Sequence, residues 1–363
     1  MTTARPSVLV KNMRRVLLLL ALLLAFLCEG ACRPRSESTP VHVAAPVVAP
    51  VALPSAPSSS LDAGHATAHG GCVRVGRLAD WRYSPSVSAL DGGRVLVAGG
   101  RHHDGVDFLR SAEIWDPTSA TFRSAASLHD ERAMHAAVTL RDGRVLVAGG
   151  LATRVELYDP KRSSWAIVGA LRTPVVTPFA GLLSDGRVLL AGGDLQWKGA
   201  FSSETNLFDP SQSKLVRGPD LAPDEGGSEP GVAITLDGKL LLVPGASTGE
   251  AKDLAGWLFD PSVGAYSKWT GKDARLAAIR ALDTAPQGPW TLISAGDGTA
   301  LHPAIAVSDD SVRRYDAAAG EWIATARFLD KHEAGGAVAI DEHTVFVVGG
   351  LEEVEATAER CTF

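Results

Sequence analysis

Short apolar runs alternate with polar punctuation from about residue 72 to the C-terminus. Arg144-Val145-Leu146-Val147-Ala148 is one such run. It is short and β-prone, which predicts a strand buried on both faces. Asp142-Gly143 precedes it, a pair that suits the two φ > 0 positions of a tight hairpin turn. Gly149-Gly150 ends it, where the backbone needs freedom or close approach. A second strand, Val155-Glu156-Leu157-Tyr158, stops at Asp159-Pro160, and Trp165 lies on the strand that returns.

The turn–strand–glycine element recurs at a spacing close to 50 residues. It runs from Asp91 to Gly100, Asp142 to Gly150, Asp185 to Gly193 and Asp237 to Gly245, with weaker copies from Gln287 to Gly296 and Asp341 to Gly350. Self-similarity at such a period marks a repeat architecture. The second half of the unit repeats too, as Trp115-Asp116-Pro117, Tyr158-Asp159-Pro160, Phe208-Asp209-Pro210, Phe259-Asp260-Pro261 and Tyr315-Asp316. A large apolar residue follows each aromatic at one fixed offset: Phe122, Trp165, Leu215, Tyr266 and Trp322. Asp-Pro starts a turn, so each pair is expected to face across a hairpin. Every repeat then supplies four short strands.

The double glycine, the aromatic-Asp-Pro and the downstream tryptophan resemble the kelch repeat over residues 72 to 363. That resemblance implies an all-β fold: a six-bladed β-propeller of four-stranded antiparallel blades. Pro244 and Ala295 depart from the pattern by replacing the first glycine. The chain ends soon after the sixth third strand, so the missing outer strand is expected from the other end. Cys72-Val73-Arg74-Val75 precedes Leu78 as Phe122 and its followers precede Leu128. An N-terminal strand pairing with the C-terminal strand would close the ring. Cys361 stands in an aromatic slot and Cys72 in the partner slot, which places the two thiols opposite and permits a disulfide.

The N-terminus changes the setting. Arg5, Lys11, Arg14 and Arg15 precede an apolar run from Val16 to Leu27, the layout of a secretory signal over residues 1–31. Gly30-Ala31-Cys32 resembles the end of a bacterial lipoprotein box, with Cys32 receiving the lipid; Glu29 departs from that box. Residues 32–70 then hold the lipid-attachment cysteine and a linker rich in Pro, Ala and Ser. Residues 71–363 form the propeller. The expected location is the cell envelope, lipid-anchored at a periplasmic or outer-membrane surface, or secreted if unlipidated. The net charge is −6, and removing residues 1–31 leaves 31 basic and 40 acidic residues. That balance argues against nucleic acid as a partner.

Function is expected on the face that carries the inter-blade and post-glycine loops, because binding groups gather on loops held by a rigid scaffold. The candidates there are Arg82, Tyr83, Arg101, His102, His103, His129, Arg132, Arg172, Trp197, Arg275, His302, His332 and Glu333. Arg82, Arg132 and Glu333 are read as one repeated position near the channel mouth. Each Arg suits a carboxylate, or alternatively bonds neighbouring carbonyls between blades. His102-His103-Asp104 with Asp107 does not define a metal geometry. Some similar propellers are copper radical oxidases, which need a Tyr–Cys crosslink, a second tyrosine and two histidines. Tyr158, Tyr266 and Tyr315 fill core slots here, leaving only Tyr83, and Cys72 and Cys361 are assigned to closure. No lipase-type elbow, phosphate loop or zinc-protease motif occurs. The expectation is a monomeric, non-catalytic envelope module that recognises a protein or glycan, touches the membrane through its N-terminal lipid alone, and needs no cofactor or metal. The alternative is a carbohydrate-active enzyme in the central funnel, similar to sialic-acid mutarotases.

Overall fold

Two compact units divide the chain, Met1–Gly64 and His65–Phe363. A computed structural model of the protein describes residues 71–102, 107–195, 200–221, 232–236, 238–243, 256–269, 291–293, 305–307, 310–316, 321–332, 335–341, 343–350 and 356–363. All lie in the second unit.

The described residues form strands and a single 3-10 turn. After β1 (Gly71–Arg77) come β2 (Ser86–Ala89), β3 (Val95–Ala98), β4 (Ala112–Asp116) and β5 (Thr121–Ala125), which make sheet one. Sheet two holds β6 (His135–Thr139), β7 (Val145–Gly149), β8 (Arg154–Asp159) and β9 (Ser164–Ala170). Sheet three holds β10 (Phe179–Leu182), β11 (Val188–Ala191), β12 (Thr205–Asp209) and β13 (Lys214–Arg217). Sheet four holds β14 (Val232–Leu236), β15 (Lys239–Val243), β16 (Gly256–Asp260) and β17 (Ala265–Trp269). Sheet five holds β18 (Thr291–Ile293), β19 (Ile305–Val307), β20 (Ser311–Asp316) and β21 (Glu321–Arg327). Sheet six holds β22 (Gly336–Asp341), β23 (Thr344–Val348) and β24 (Thr357–Thr362), and β1 pairs antiparallel with β24 as its fourth strand. Cys72 lies opposite Cys361, and the two are disulfide-bonded.

The core lies between successive sheets, which explains the unbroken apolar runs. On β3, Leu96 and Ala98 pack towards Val145, Val147 and Tyr158 of sheet two. Val95 and Val97 point the other way, towards Phe346 and Val348 of sheet six. A strand with period-2 side chains and a sheet on either side must be apolar at every position. Parallel clusters join sheets two and three, three and four, and five and six. The first strands follow the same order: β2 packs against β6 and β22, and β10 against β6 and β14.

The repeated large pairs are directly opposed in sheets one to five: Trp115 with Phe122, Tyr158 with Trp165, Phe208 with Leu215, Phe259 with Tyr266 and Tyr315 with Trp322. The rings of Tyr158 and Trp165 lie 4.9 Å apart. Each intervening Asp folds its turn by accepting the backbone N–H two residues on, as Asp116, Asp159, Asp209 and Asp260 do at 2.8–2.9 Å.

The Asp-Gly turn differs from the expected form. Gly143 has φ 83°, and Asp142 is not left-handed. Gly143 N–H donates to Leu140 O, and Leu140 N–H donates to Arg144 O. This is a three-residue loop with glycine alone at the left-handed site. Arg144 and Arg187 then reach across to the Pro210 and Pro261 carbonyls of the following sheets, so these turns also fasten neighbours together.

Candidate functional site

The loops that lead into each first strand lie beside the loops that follow the glycine pairs. Tyr83 and Arg101 exchange backbone hydrogen bonds at 2.9 Å, and Val176 and Asp194 do the same. The glycine pair is where the next sheet docks. Gly99 has φ 64°, and a Cβ there would sit 2.5 Å from Arg132 O. Gly349, with φ 80°, meets Arg82 O in the same way. Gly100 N–H donates to Arg132 O at 2.8 Å. Left-handed backbone and close approach both exclude a side chain at these positions.

The same lead-in loops carry a buried charge pair. Arg82 is 0 % exposed; its guanidinium donates to Gly99 O, Ser111 O and the Glu113 carboxylate at 2.9–3.0 Å. Arg132 is also 0 % exposed and donates to Gly149 O and Glu156. Each glutamate additionally accepts two backbone N–H groups of the lead-in loop, Ala79 and Asp80 for Glu113, His129 and Asp130 for Glu156. Burial pulls both guanidinium pKa values down, while the paired carboxylates oppose the fall. Burial also pushes Glu156 up, but hydrogen bonds from His129 and the charge of Arg132 outweigh it and leave the acid below its ordinary range.

Arg82 and Arg132 therefore brace the scaffold and do not present their guanidinium groups to a ligand. The reason is that a charge beside the glycine pair is enclosed by the carbonyls it satisfies. The third member of this repeated position is His332, not Glu333. Leu78, Leu128 and Phe328 open equivalent loops by donating to Ala356, Arg110 and Asp310, and the residue four further on is Arg82, Arg132 or His332. His332 is buried, with Nδ1 at 2.9 Å from Gly349 O and Nε2 at 3.2 Å from Glu359, so it too lies away from solvent. Glu359 accepts Leu329 and Asp330 N–H groups, in the manner of Glu113 and Glu156. Sheet three has Val175 in the cation position and Asn206 in the carboxylate position, so both partners are replaced together.

Sequence reasoning missed the glutamates. The signal was present: a lone acid two residues before the aromatic slot, at Glu113, Glu156 and Glu359, with Cys361 filling the slot in the last case.

The remaining described candidates divide into three groups. Tyr83 and Arg101 are half-buried, with the guanidinium 4.6 Å over the phenol ring. Beside them His102 stacks on Trp81 at 5.4 Å. These four residues form one patch on sheet one. Arg172 is exposed, and its backbone N–H donates to Glu204. His129 is separate and exposed, with its Nδ1 at 2.8 Å from Glu156. It lines an open groove of about 550 Å³ with Arg110, Asp130, Glu131, Leu151, Ala152, Thr153 and Arg154. His103, Trp197, Arg275, His302, Glu333 and Cys32 lie outside the described residues.

Residues 82–129 match the Kelch motif. No curated protein sequence matches the chain. Among solved structures the chain is similar to a fungal alcohol oxidase with catalytic diversity among the AA5 family, in complex with copper. The TM-score is 0.52 at 14 % identity, over 80 % of this chain and 75 % of the oxidase. At that identity the likeness is one of fold: the four-stranded antiparallel sheets are consistent with a β-propeller, and residues 82–129 carry the Kelch motif. The described residues do not fit a copper radical centre. Tyr158 packs on Trp165, and Tyr266 packs on Phe259 and bonds Thr205. Tyr83 lies under Arg101, and both described cysteines are bonded to each other.

Proposed function

We propose that this Kelch-motif chain is a six-bladed propeller, closed by β1 and the Cys72–Cys361 bond, that binds an envelope ligand without catalysing a reaction. Six four-stranded sheets among the described residues and the β1–β24 pairing support the ring. The observation that carries the binding reading is the half-exposed Trp81–His102 and Tyr83–Arg101 patch on the loop face. Aromatic faces and a guanidinium together suit a glycan, whose C–H faces stack and whose hydroxyls need donors. In this reading the leader-like N-terminus and Cys32 would anchor the module, as a monomer, at the envelope surface by a lipid. A protein ligand and a carbohydrate-active funnel are the other readings.

A glycan array combined with a sugar-turnover screen on the purified chain tests this. Binding without turnover, weakened at least tenfold in Trp81→Ala and Tyr83→Ala, supports it. Turnover supports the enzyme instead. An array with no bound glycan removes the glycan reading and leaves an envelope-protein screen to decide the rest. A fatty-acid analogue fed to expressing cells should label the chain, and Cys32→Ser should abolish the label.

A further inference from the structure

The repeat supplies its own baseline for the His129 groove. Three lead-in loops are tied by the same backbone bonds to a glutamate, at Glu113, Glu156 and Glu359. The residue that donates first is Ala79, His129 or Leu329. Alanine and leucine do this work with no polar side chain, so holding the loop does not require an imidazole. Arg110 is equally idiosyncratic. Its carbonyl accepts Leu128 N–H, a role filled elsewhere by Thr153, Ser203, Asp310 and Ala356.

The geometry of His129 goes beyond a solvated side chain. Glu156 is fully buried, accepts Arg132 on one oxygen, and holds the His129 Nδ1 edge at 2.8 Å on the other. A carboxylate at Nδ1 selects the tautomer with the proton there and leaves Nε2 as an acceptor. The side chain is 42 % exposed and lines the groove, and with Nδ1 held by Glu156, Nε2 is the ring nitrogen not engaged by that carboxylate.

The charges around it are mostly spent. Arg132 is paired with Glu156, and Arg154 with Asp130 at 3.2 Å. Arg110 is exposed and has no ion pair among the described residues. Thr153 and Glu131 add a hydroxyl and a second acceptor, and Leu151 and Ala152 are the apolar members of the wall. Pockets for apolar ligands are lined mainly by hydrophobic groups, and this one is not.

We infer that the groove is a subsite for an acidic sugar, with Arg110 taking its carboxylate and His129 Nε2 accepting one of its hydroxyl protons. The inference rests on the glycan-binding reading above and specifies a second contact point on the same face. No bond is made or broken there.

The test is a calorimetric titration of the purified full chain with D-galacturonate, D-glucuronate, D-galactose and acetate, with His129 ring signals followed by NMR. At least one uronate should bind and shift the His129 signals. Galactose and acetate should each bind at least tenfold more weakly. Arg110→Ala should reduce the uronate to the level of the neutral sugar, and His129→Gln should weaken it about tenfold, while Arg217→Ala leaves it unchanged. His129→Gln keeps the backbone bond to Glu156, so loss of binding does not report loss of fold. Neither uronate binding, equal binding of acetate alone, or indifference to both variants overturns the inference. Array binding that depends on Trp81 but not on Arg110 or His129 sinks this subsite and leaves the broader reading intact.

Discussion

Replacing Arg132 and Glu156 singly and together tests whether the buried charge pair is a scaffold brace. Arg132→Val leaves the Glu156 carboxylate buried, with two backbone N–H bonds and an imidazole but no cation. Glu156→Asn leaves a buried guanidinium facing the carbonyls of Gly149 and Arg154, with Asp130 at 3.7 Å. Breaking a buried pair from one side costs about 3–5 kcal/mol. Independent losses would sum to roughly 6–10 kcal/mol, enough to unfold many domains. The sheet next door carries Val175 and Asn206 at these two positions and still forms four strands. The double variant should therefore lose only about 2–3 kcal/mol, a coupling of about 3 kcal/mol or more. Urea unfolding followed by tryptophan fluorescence measures all three variants. Additivity to within about 0.5 kcal/mol, or single losses below about 1 kcal/mol, would falsify the pairing argument.

Three further outcomes are expected. The Cys72–Cys361 bond closes a loop of 289 residues, so reduction or Cys72→Ser with Cys361→Ser should cost about 6 kcal/mol on the chain-entropy estimate; an unchanged melting temperature with and without reductant would contradict it. Gly99→Ala should destabilise by about 2 kcal/mol or more, because it combines a left-handed φ with a 2.5 Å approach to Arg132 O, whereas Gly92→Ala meets no neighbour within 4 Å and should cost less. His135 is pushed down to about 3 by burial, with Arg132 adding to the fall. Its ring is neutral when folded, and the unfolded chain takes up a proton from about pH 6.5 downwards. Stability should thus fall as pH drops from about 6.5 towards 3, and His135→Gln should flatten that slope. The lowered Glu156 and Glu359 act at the acid end, where their contribution is lost once pH passes below the ordinary carboxylate range.

Much of the architecture was legible because repetition makes local signals countable. A single Tyr158–Trp165 pair means little, but five pairs at one offset specify five hairpins, and all five are in register. Cys72 and Cys361 were readable through the same slots, as substitutes for an aromatic pair. The site was far less legible. Arg82, Arg132 and His332 looked like surface groups because they sit in polar loops. Their burial depends on the following glycine pairs and on glutamates about 24 to 31 residues away.

The amino-acid sequence by itself determined strand content, repeat length, turn positions and which apolar residues face one another. These follow from short-range periodicity and turn chemistry. The tertiary structure alone decided which charged groups are enclosed and which remain open to a ligand. An arginine's exposure is set by the neighbouring sheets and loops packed around it. His129 differs from Arg132 three residues later only in what the adjacent strands close over.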